Sequence, residues 1–526
     1  MLDIVTPESA EARTIGTRFA PPLLRSPWAN IRAGAIATPW AIVILIAVAF
    51  AARAIQFGNA VIQVDDQLYL LIGDRMLHGA LPYIDIWDRK PIGLFLIYAA
   101  IRLLGGLGVT EYQIVATVFV AATAITIRQA ALRVATPAGA LGAGVIYILM
   151  LGMFGGDGGQ SPVFYNLFVA LAGLCLVRIV RRTRFGPASH LDAAAAMLLM
   201  GLAIQIKYSV VFEGAFFGCV LLHHAWRAKM SLSALAAAGL AWLVLGLGPT
   251  AAAWASYAAM GYNDAFIYAN FTSIFARSSD GAGPTIGRLS GMAALLLPLA
   301  YAAFISLWPG RSNAFDQPQK LLFGWCLAAI AAVLVFGSYF DHYALPMLVP
   351  LTIGAAPVLS DRRAGLRLIA GRTDKLMPAI MVLALFATAF SIVTIDRNVR
   401  NRGRGAQARQ IAAWLKPRLT DCLFVFGGET ILYHLTGSCL PTRWPFPEHL
   451  DNRREDGALG VDVLAEIQRI MARRPQYVVS SDRPESKTNM RTWDYMVGAL
   501  ARDYRVVMRL RVGSKFRLVF ERLPGH

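Results

Sequence analysis

Between residues 64 and 98 the chain reads VDDQLYLLIGDRMLHGALPYIDIWDRKPIGLFLIY, and this stretch concentrates the groups able to do chemistry. Asp65 and Asp66 stand together and Tyr69 closes their short run. Tyr83, Asp85 and Asp88 follow, and Arg89 and Lys90 end the polar segment. A carboxylate can serve as a general base, and nearby cations can hold an anionic leaving group. Apolar segments flank the stretch on both sides. Charges so dense beside a membrane span are costly at the lipid boundary unless they face a water-filled, substrate-binding cavity. The stretch therefore reads as an active-site loop.

The elements that must position this loop are membrane helices. The 526 residues are 56% hydrophobic and 16% charged, against roughly 25% charged in a typical soluble domain. Apolar runs of about 20 residues, long enough to cross a bilayer, recur through residues 40 to 395 and then stop. The net charge of +18 does not point to nucleic acid, because many Arg and Lys residues cluster in short loops between spans, where the positive-inside rule accounts for them. The first 38 residues carry Arg13, Arg18, Arg25 and Arg32 and lack the apolar core and cleavage site of a signal peptide, which predicts a cytoplasmic N-terminus.

Spans are predicted at about 40–58, 112–127, 138–154, 163–178, 191–206, 209–225, 232–256, 287–307, 320–337, 344–359 and 376–395. The apolar stretch 92–108 is short, contains Arg102 and ends in glycines. If it crossed the membrane, most arginine clusters, including Arg181 and Arg182, Arg311, and Arg362, Arg363 and Arg367, would fall outside. It is therefore predicted to lie along the interface, which gives about eleven spans and a C-terminus outside. Arg397, Arg400, Arg402, Arg404 and Arg409 oppose this threading, but late charges orient a chain weakly once earlier helices have inserted.

The expected organisation is a cytoplasmic segment 1–38, a transmembrane domain 39–395 with an outer active-site loop 59–111, and a soluble periplasmic α/β domain 396–526. The tail alternates helical and strand patterns and ends in a hairpin-like run, YRVVMRLRVGSKFRLVFER. It lacks a Gly-rich phosphate loop, which weighs against a nucleotide site. Cys175, Cys219 and Cys326 fall in predicted spans as packing residues. Cys422 and Cys439 share the exported tail, in a compartment that permits disulfides, and are expected to be bonded to each other.

On this threading the polar outliers converge on the outer face. The first loop is joined there by Asp157 and Gln160, by Lys207, and by Asp341, His342 and Tyr343. Mid-membrane charge is nearly absent, whereas an ion-coupled transporter would usually place carboxylates near the midplane. An interfacial enzyme is thus preferred over a transporter or flippase of lipid-linked glycan, and over an assembly factor that binds cell-wall polymer.

The pattern DDQLY, then MLHGALPY, then DIWDRKP resembles the first outer loop of the GT-C superfamily of polytopic glycosyltransferases, near the protein-mannosyltransferase and aminoarabinose-transferase branch. The resemblance is strong in that loop, looser at Asp157, Lys207 and the DHYALP segment, and says little about the tail. It implies a polyprenyl-phosphate sugar donor at the outer face of the inner membrane, and a lipid, glycan or protein acceptor. The first acid of the family's pair acts on the acceptor, which maps onto Asp65; its lysine–proline element maps onto Lys90-Pro91, although Ile92 stands where a second proline is common. Gln160 lies where the family commonly has a glutamate.

That chemistry suits the residue types. Displacing a polyprenyl phosphate from the anomeric carbon needs a base near the incoming hydroxyl and cations on the departing phosphate. Asp65 is the expected base, with Asp66 as the alternative; Lys90, Arg89 and Lys207 are expected at the phosphate. Tyr69, Tyr83, Asp85, Asp88, Gln160, His342 and Tyr343 complete the expected substrate-binding set, and Asp157 is a further candidate for catalysis. No cofactor is required, and a divalent metal is not needed for a monophosphate leaving group, though carboxylates and His342 could bind one. Plainer roles compete: an aspartate capping the helix near Leu68, lysines snorkelling at the interface, Asp157 shaping a glycine turn, and Tyr83, Trp87, His342 and Tyr343 in an aromatic belt.

Overall fold

The computed structural model describes residues 27–307, 317–336, 339–360 and 376–524. The expectations for the first 26 residues and for Arg311, Arg362, Arg363 and Arg367 fall outside them. The chain divides into two compact units, Met1–Val43 and Ile44–His526, and the second carries the candidate site.

Among the described residues, 11 helices are long and apolar enough to cross a membrane. They begin with α1 (Pro27–Arg53), whose apolar part starts at Thr38. Two short helices then interrupt the series: α2 (Val64–Met76) and α3 (Ile92–Arg102), of 13 and 11 residues. At 1.5 Å per residue α3 is about 16 Å long, half of the roughly 30 Å hydrocarbon core, so it cannot span. The expected non-spanning role of this stretch agrees with that length, and the described residues hold the eleven span-length helices expected. The series resumes with α4 (Val109–Ala131), α5 (Pro137–Leu151), α6 (Ser161–Val180), α7 (Pro187–Ile204) and α8 (Val211–Arg227). Beyond these lie the long helices Leu232–Ala259, Ala282–Leu307 and Gln317–Phe336, then Leu348–Ser360, which a 3-10 segment from Asp341 precedes, and Leu376–Arg402.

The short helices α2 and α3 pack side by side, and a Cβ at Gly73 would lie 2.6 Å from the Ala99 nitrogen. Only glycine permits that approach, which lets α2 lie flat over α3 and presents its first turn, with both aspartates, to the rest of the bundle.

The tail forms a four-stranded sheet in the order β1-β2-β4-β3, from β1 (Leu423–Val425), β2 (Tyr477–Ser481), β3 (Tyr504–Val512) and β4 (Lys515–Arg522). β1 and β2 are parallel, with Phe424 opposite Val478; β4 runs antiparallel to both of its neighbours, and β3 and β4 make the expected hairpin. Helices Gly405–Leu415, Ile431–Thr436, Val463–Ala472 and Met490–Asp503 surround the sheet. The expected Cys422–Cys439 disulfide is present and joins the start of β1 to the residues after the second of these helices.

This domain sits directly on the first loop. The Trp87 amide donates to the Arg443 carbonyl at 2.7 Å, the Ile431 amide donates to Gln67 Oε1 at 3.1 Å, and Arg75 donates to the Ser438 carbonyl. Arg409, one of the arginines that opposed the threading, donates to the Gly58 carbonyl at 2.9 Å, so it serves as a bracket between tail and loop.

Candidate active site

Neighbouring residues on a helix point about 100° apart, and the two aspartates on the first turn of α2 have different surroundings. Asp66 is fully buried. Its Oδ2 accepts the Gly159 amide at 2.6 Å, and its Oδ1 has no hydrogen-bond partner among the described residues. Burial pushes its carboxyl well above the usual range, with Asp65 and Asp157 adding to the rise. Asp65 is half-buried and accepts a hydrogen bond from Gln160 Nε2 at 3.0 Å. Burial opposes its ionisation as well, but Lys90, His342, the Gln160 hydrogen bond and Lys207 outweigh it and hold the carboxyl below the usual range. One member of the pair is thus held as a carboxylate, while protonation is favoured in the other.

The turn that meets them, residues 155–160, is held from several sides. Arg53 donates to the carbonyls of Gly156 and Gly158 and to Thr117 Oγ1, the last at 3.0 Å. Tyr98 donates to the Gly159 carbonyl at 2.9 Å. Asp157 accepts from Gln56 Nε2 at 3.0 Å and from Gln63 Nε2 at 3.3 Å, one bond to each carboxylate oxygen. A Cβ at Gly158 would lie 2.1 Å from Asp66 Oδ2, so the close seating of turn on aspartate requires glycine there.

Two lysines face Asp65 from other elements. Lys90 follows the loop's last aspartate, and its Nζ lies 5.5 Å from the centroid of the buried Tyr69 ring. Lys207, between α7 and α8, places its Nζ 4.2 Å from the Tyr343 ring centroid, within cation–π range. His342 packs edge-on against that tyrosine with ring centroids 4.9 Å apart. Neither lysine makes an ion pair among the described residues. Burial and the charge of Lys90 bring Lys207 down to about 7, with Asp65 opposing. Two ammonium groups that repel each other, neither in an ion pair among the described residues, form a ready site for an anion.

Several residues expected in the site are committed elsewhere. Arg89 donates from both terminal nitrogens to Glu455, at 3.1 and 2.7 Å, and Arg277 joins the same carboxylate at 2.7 Å. Its guanidinium therefore ties the loop to the C-terminal domain and is not open for a phosphate. Tyr83 is buried with φ +71° and donates its hydroxyl to the Lys90 carbonyl at 2.8 Å, which shapes the backbone that delivers Lys90. Asp85 is exposed and accepts the Leu81 amide at 2.7 Å, closing a turn. Asp157 is spent on the two glutamines. Asp88 is buried, accepts the Arg89 amide at 2.7 Å through Oδ1, and leaves Oδ2 without a partner among the described residues. Tyr69 is buried with its hydroxyl likewise unpartnered, next to the lysine and the aspartates.

Sequence reasoning missed Arg53, Gln56, Gln63 and Tyr98, which build the turn, and Glu455 and Arg277, which anchor Arg89. Arg53 had a signal, an arginine closing the first span just before a polar loop. The Glu455 pairing had none, since 366 positions separate it from Arg89. Glu213, near the start of the sixth predicted span, is a buried carboxylate that sequence reasoning did not single out. It is buried and accepts the Trp325 indole N–H at 2.7 Å. It belongs to the first turn of α8, near Lys207, and so lies toward the same end of the bundle.

No family model matches the chain, and no curated protein sequence matches it. The fold does match solved structures. ArnT from Cupriavidus metallidurans bound to undecaprenyl phosphate is similar with a TM-score of 0.64 and 16% identity, over 93% of this chain and 99% of that one. The archaeal oligosaccharyltransferase AglB from Archaeoglobus fulgidus, in complex with an inhibitory peptide and a dolichol-phosphate, is similar with a TM-score of 0.54 and 11% identity, over 84% of this chain and 69% of that one. At such identities the likeness resides in the arrangement of helices and appended domain, and in that arrangement this multi-pass membrane protein shares the fold of these two solved structures.

Proposed function

We propose that the chain transfers a sugar from a polyprenyl-phosphate donor to a lipid, glycan or protein acceptor at the outer face of the cytoplasmic membrane, with inversion at the anomeric carbon. In this reading residues 39–395 form the transferase domain around the outer loop 59–111, residues 396–526 form a periplasmic domain, and the N-terminus is cytoplasmic. The observation that carries it is the pair Lys90 and Lys207, neither in an ion pair among the described residues, which both act on the Asp65 carboxyl and help hold it below the usual range. Asp65 takes the acceptor's hydroxyl proton as the new bond to the anomeric carbon forms. The bond from that carbon to the phosphate oxygen breaks, and its electron pair leaves on the polyprenyl phosphate, which the two lysines hold.

Asp66 is the poorer base, since its carboxyl is enclosed and bound to the Gly159 amide. It holds the turn that delivers Gln160 to Asp65. Arg89 has no place in the donor site because Glu455 occupies it. The lipid phosphates carried by ArnT and AglB support a lipid-phosphate donor in a protein of this fold. The test is turnover by the purified protein of polyprenyl-phosphate sugars drawn from cells that lack it. Asp65→Asn preserves size and donor binding but removes the base, and should lower turnover by about 100-fold to 10,000-fold. Near-normal turnover in Asp65→Asn would refute the assignment.

A further inference from the structure

The end of the bundle opposite the aspartates holds a second cavity, of about 520 Å³. Helix α6 begins beside Gln160, which bonds Asp65, and its 20 residues carry the chain about 30 Å to Val180. There the ends of α6, α8 and helix Gln317–Phe336 enclose the space, and Arg181, Arg182, His223, His224, Arg227 and Lys320 line it. No carboxylate lines it among the described residues. Arg182 is paired with Asp192 at 2.7 Å, but that carboxylate is shared with Arg178 at 3.0 Å. Arg181 donates to a neutral partner, the Arg133 carbonyl, at 2.8 Å, and neither it nor Arg227 enters an ion pair among the described residues.

Arginines that only orient a chain in the bilayer have no need to converge on one space. Gathered around a cavity with so little counter-charge they favour an anion, and the guanidinium fork matches the oxygens of a phosphate. The volume lies within the roughly 300 to 1,000 Å³ of small-molecule sites, room for a phosphate together with the groups it esterifies. The rim continues into an apolar surface. Trp226, beside Arg227 on α8, is exposed, and its ring centroid lies 6.1 Å from that of the lining His223. Indole rings concentrate at the level of lipid headgroups. Leu222, one turn deeper on the same face of α8, is exposed as well, so chains hanging from a bound headgroup would meet apolar side chains. A soluble anion would use the cations but not this flank, and basic pockets between membrane helices are suited to lipid head groups.

We infer that this cavity holds the phosphate headgroup of an anionic phospholipid, in the leaflet opposite the candidate active site. The lipid takes no part in the transfer chemistry. It clasps the far ends of α6 and α8, whose near ends adjoin Gln160 and Lys207. The test uses the full-length protein in nanodiscs of phosphatidylcholine and phosphatidylglycerol in equal amounts with the same acyl chains, and native mass spectrometry reads which lipid stays bound. Phosphatidylglycerol should be retained at least about tenfold over phosphatidylcholine, and Arg181→Gln combined with Arg227→Gln should reduce that preference by about tenfold or more, the effect of losing charge-assisted contacts. A phosphatidylglycerol with a photoreactive headgroup should cross-link in the wild type to residues 180–184 and 223–228, a readout that does not depend on the variant's folding. No preference for phosphatidylglycerol, cross-links confined to other segments, or an undiminished preference in a folded double variant would overturn the inference. Glycerol 3-phosphate and inorganic phosphate, added in excess, separate the two sources of phosphate: the lipid should stay bound, and its displacement by either would assign the cavity to a soluble phosphate and overturn the lipid.

Discussion

The two lysines provide the sharpest quantitative expectation. Lys207, lowered to about 7 by burial and by Lys90, is half protonated at pH 7 in the ligand-free protein. A bound phosphate favours the charged form, so binding above pH 7 must draw a proton from solution, and affinity falls as pH rises. The protonated fraction drops from about 0.5 at pH 7 to about 0.01 at pH 9, which sets a limit of about 50-fold weaker binding over that interval. Undecaprenyl phosphate is a suitable ligand, because a phosphate monoester completes most of its second ionisation, near pH 6, below this range. Any remaining gain in its negative charge would strengthen binding with pH and oppose the predicted trend. Titration calorimetry in nanodiscs across pH 7 to 9 measures the effect. Lys207→Arg keeps a positive charge at every pH and should flatten the profile. A wild-type affinity independent of pH, or a Lys207→Arg protein with the wild-type slope, would refute the placement of Lys207 at the phosphate.

Three further outcomes follow from contacts outside the lysine pair. Glu455→Gln leaves Arg89 and Arg277 without their shared carboxylate and should destabilise the docking of the C-terminal domain by about 3–5 kcal/mol, seen as faster proteolysis near residues 402–415. Burial opposes the ionisation of Glu455, yet Arg89 and Arg277 hold its carboxyl down to about 2, so in the wild type the same loosening should begin as pH falls below about 4.5 and be complete near 2; docking that is unaffected by acid would contradict it. Gly158→Ala places a methyl group against Asp66 and should destabilise by about 1–3 kcal/mol, whereas Gly248→Ala, with open space around its Cβ in helix Leu232–Ala259, should be neutral or slightly stabilising. Equal thermal unfolding of the two variants would show that the turn does not need its glycine.

Much of the membrane architecture was legible because bilayer thickness and loop charge act on short segments. The expectation that residues 92–108 do not span rested on their shortness and on loop charge, and the 11-residue helix Ile92–Arg102 is too short to cross. The tail's hairpin and disulfide were likewise local patterns. Chemical type nominated Asp65, Lys90 and Lys207, the residues on which the proposed chemistry rests. It could not sort Arg89 from Lys90, adjacent residues of like charge, because the sorting depends on Glu455 in a distant domain. Nor could it tell Asp65 from Asp66, whose difference arises from the deeper burial of Asp66 and from the lysines that act on Asp65. The hydrogen bonds that engage Asp157, Tyr83 and Asp85 are likewise invisible in residue type. A polar side chain near an active loop has the right chemistry whether it faces substrate or backbone, and only packing distinguishes the two.

The proposed chemistry also explains why a low-lying carboxylate can serve as base. Without donor, Lys90 and Lys207 keep Asp65 ionised, and a carboxylate so stabilised is a weak proton acceptor. A donor phosphate seated on the two lysines would neutralise much of the charge that depresses Asp65, raising its basicity when the anomeric carbon is in place. As the phosphate departs it gains negative charge, and the lysines stabilise it further. The same two cations would thus restrain the base before the donor arrives and assist the leaving group afterwards. That coupling requires both lysines to act on Asp65 at once, as the charges of Lys90 beside the Tyr69 ring and of Lys207 over the Tyr343 ring do in the ligand-free protein.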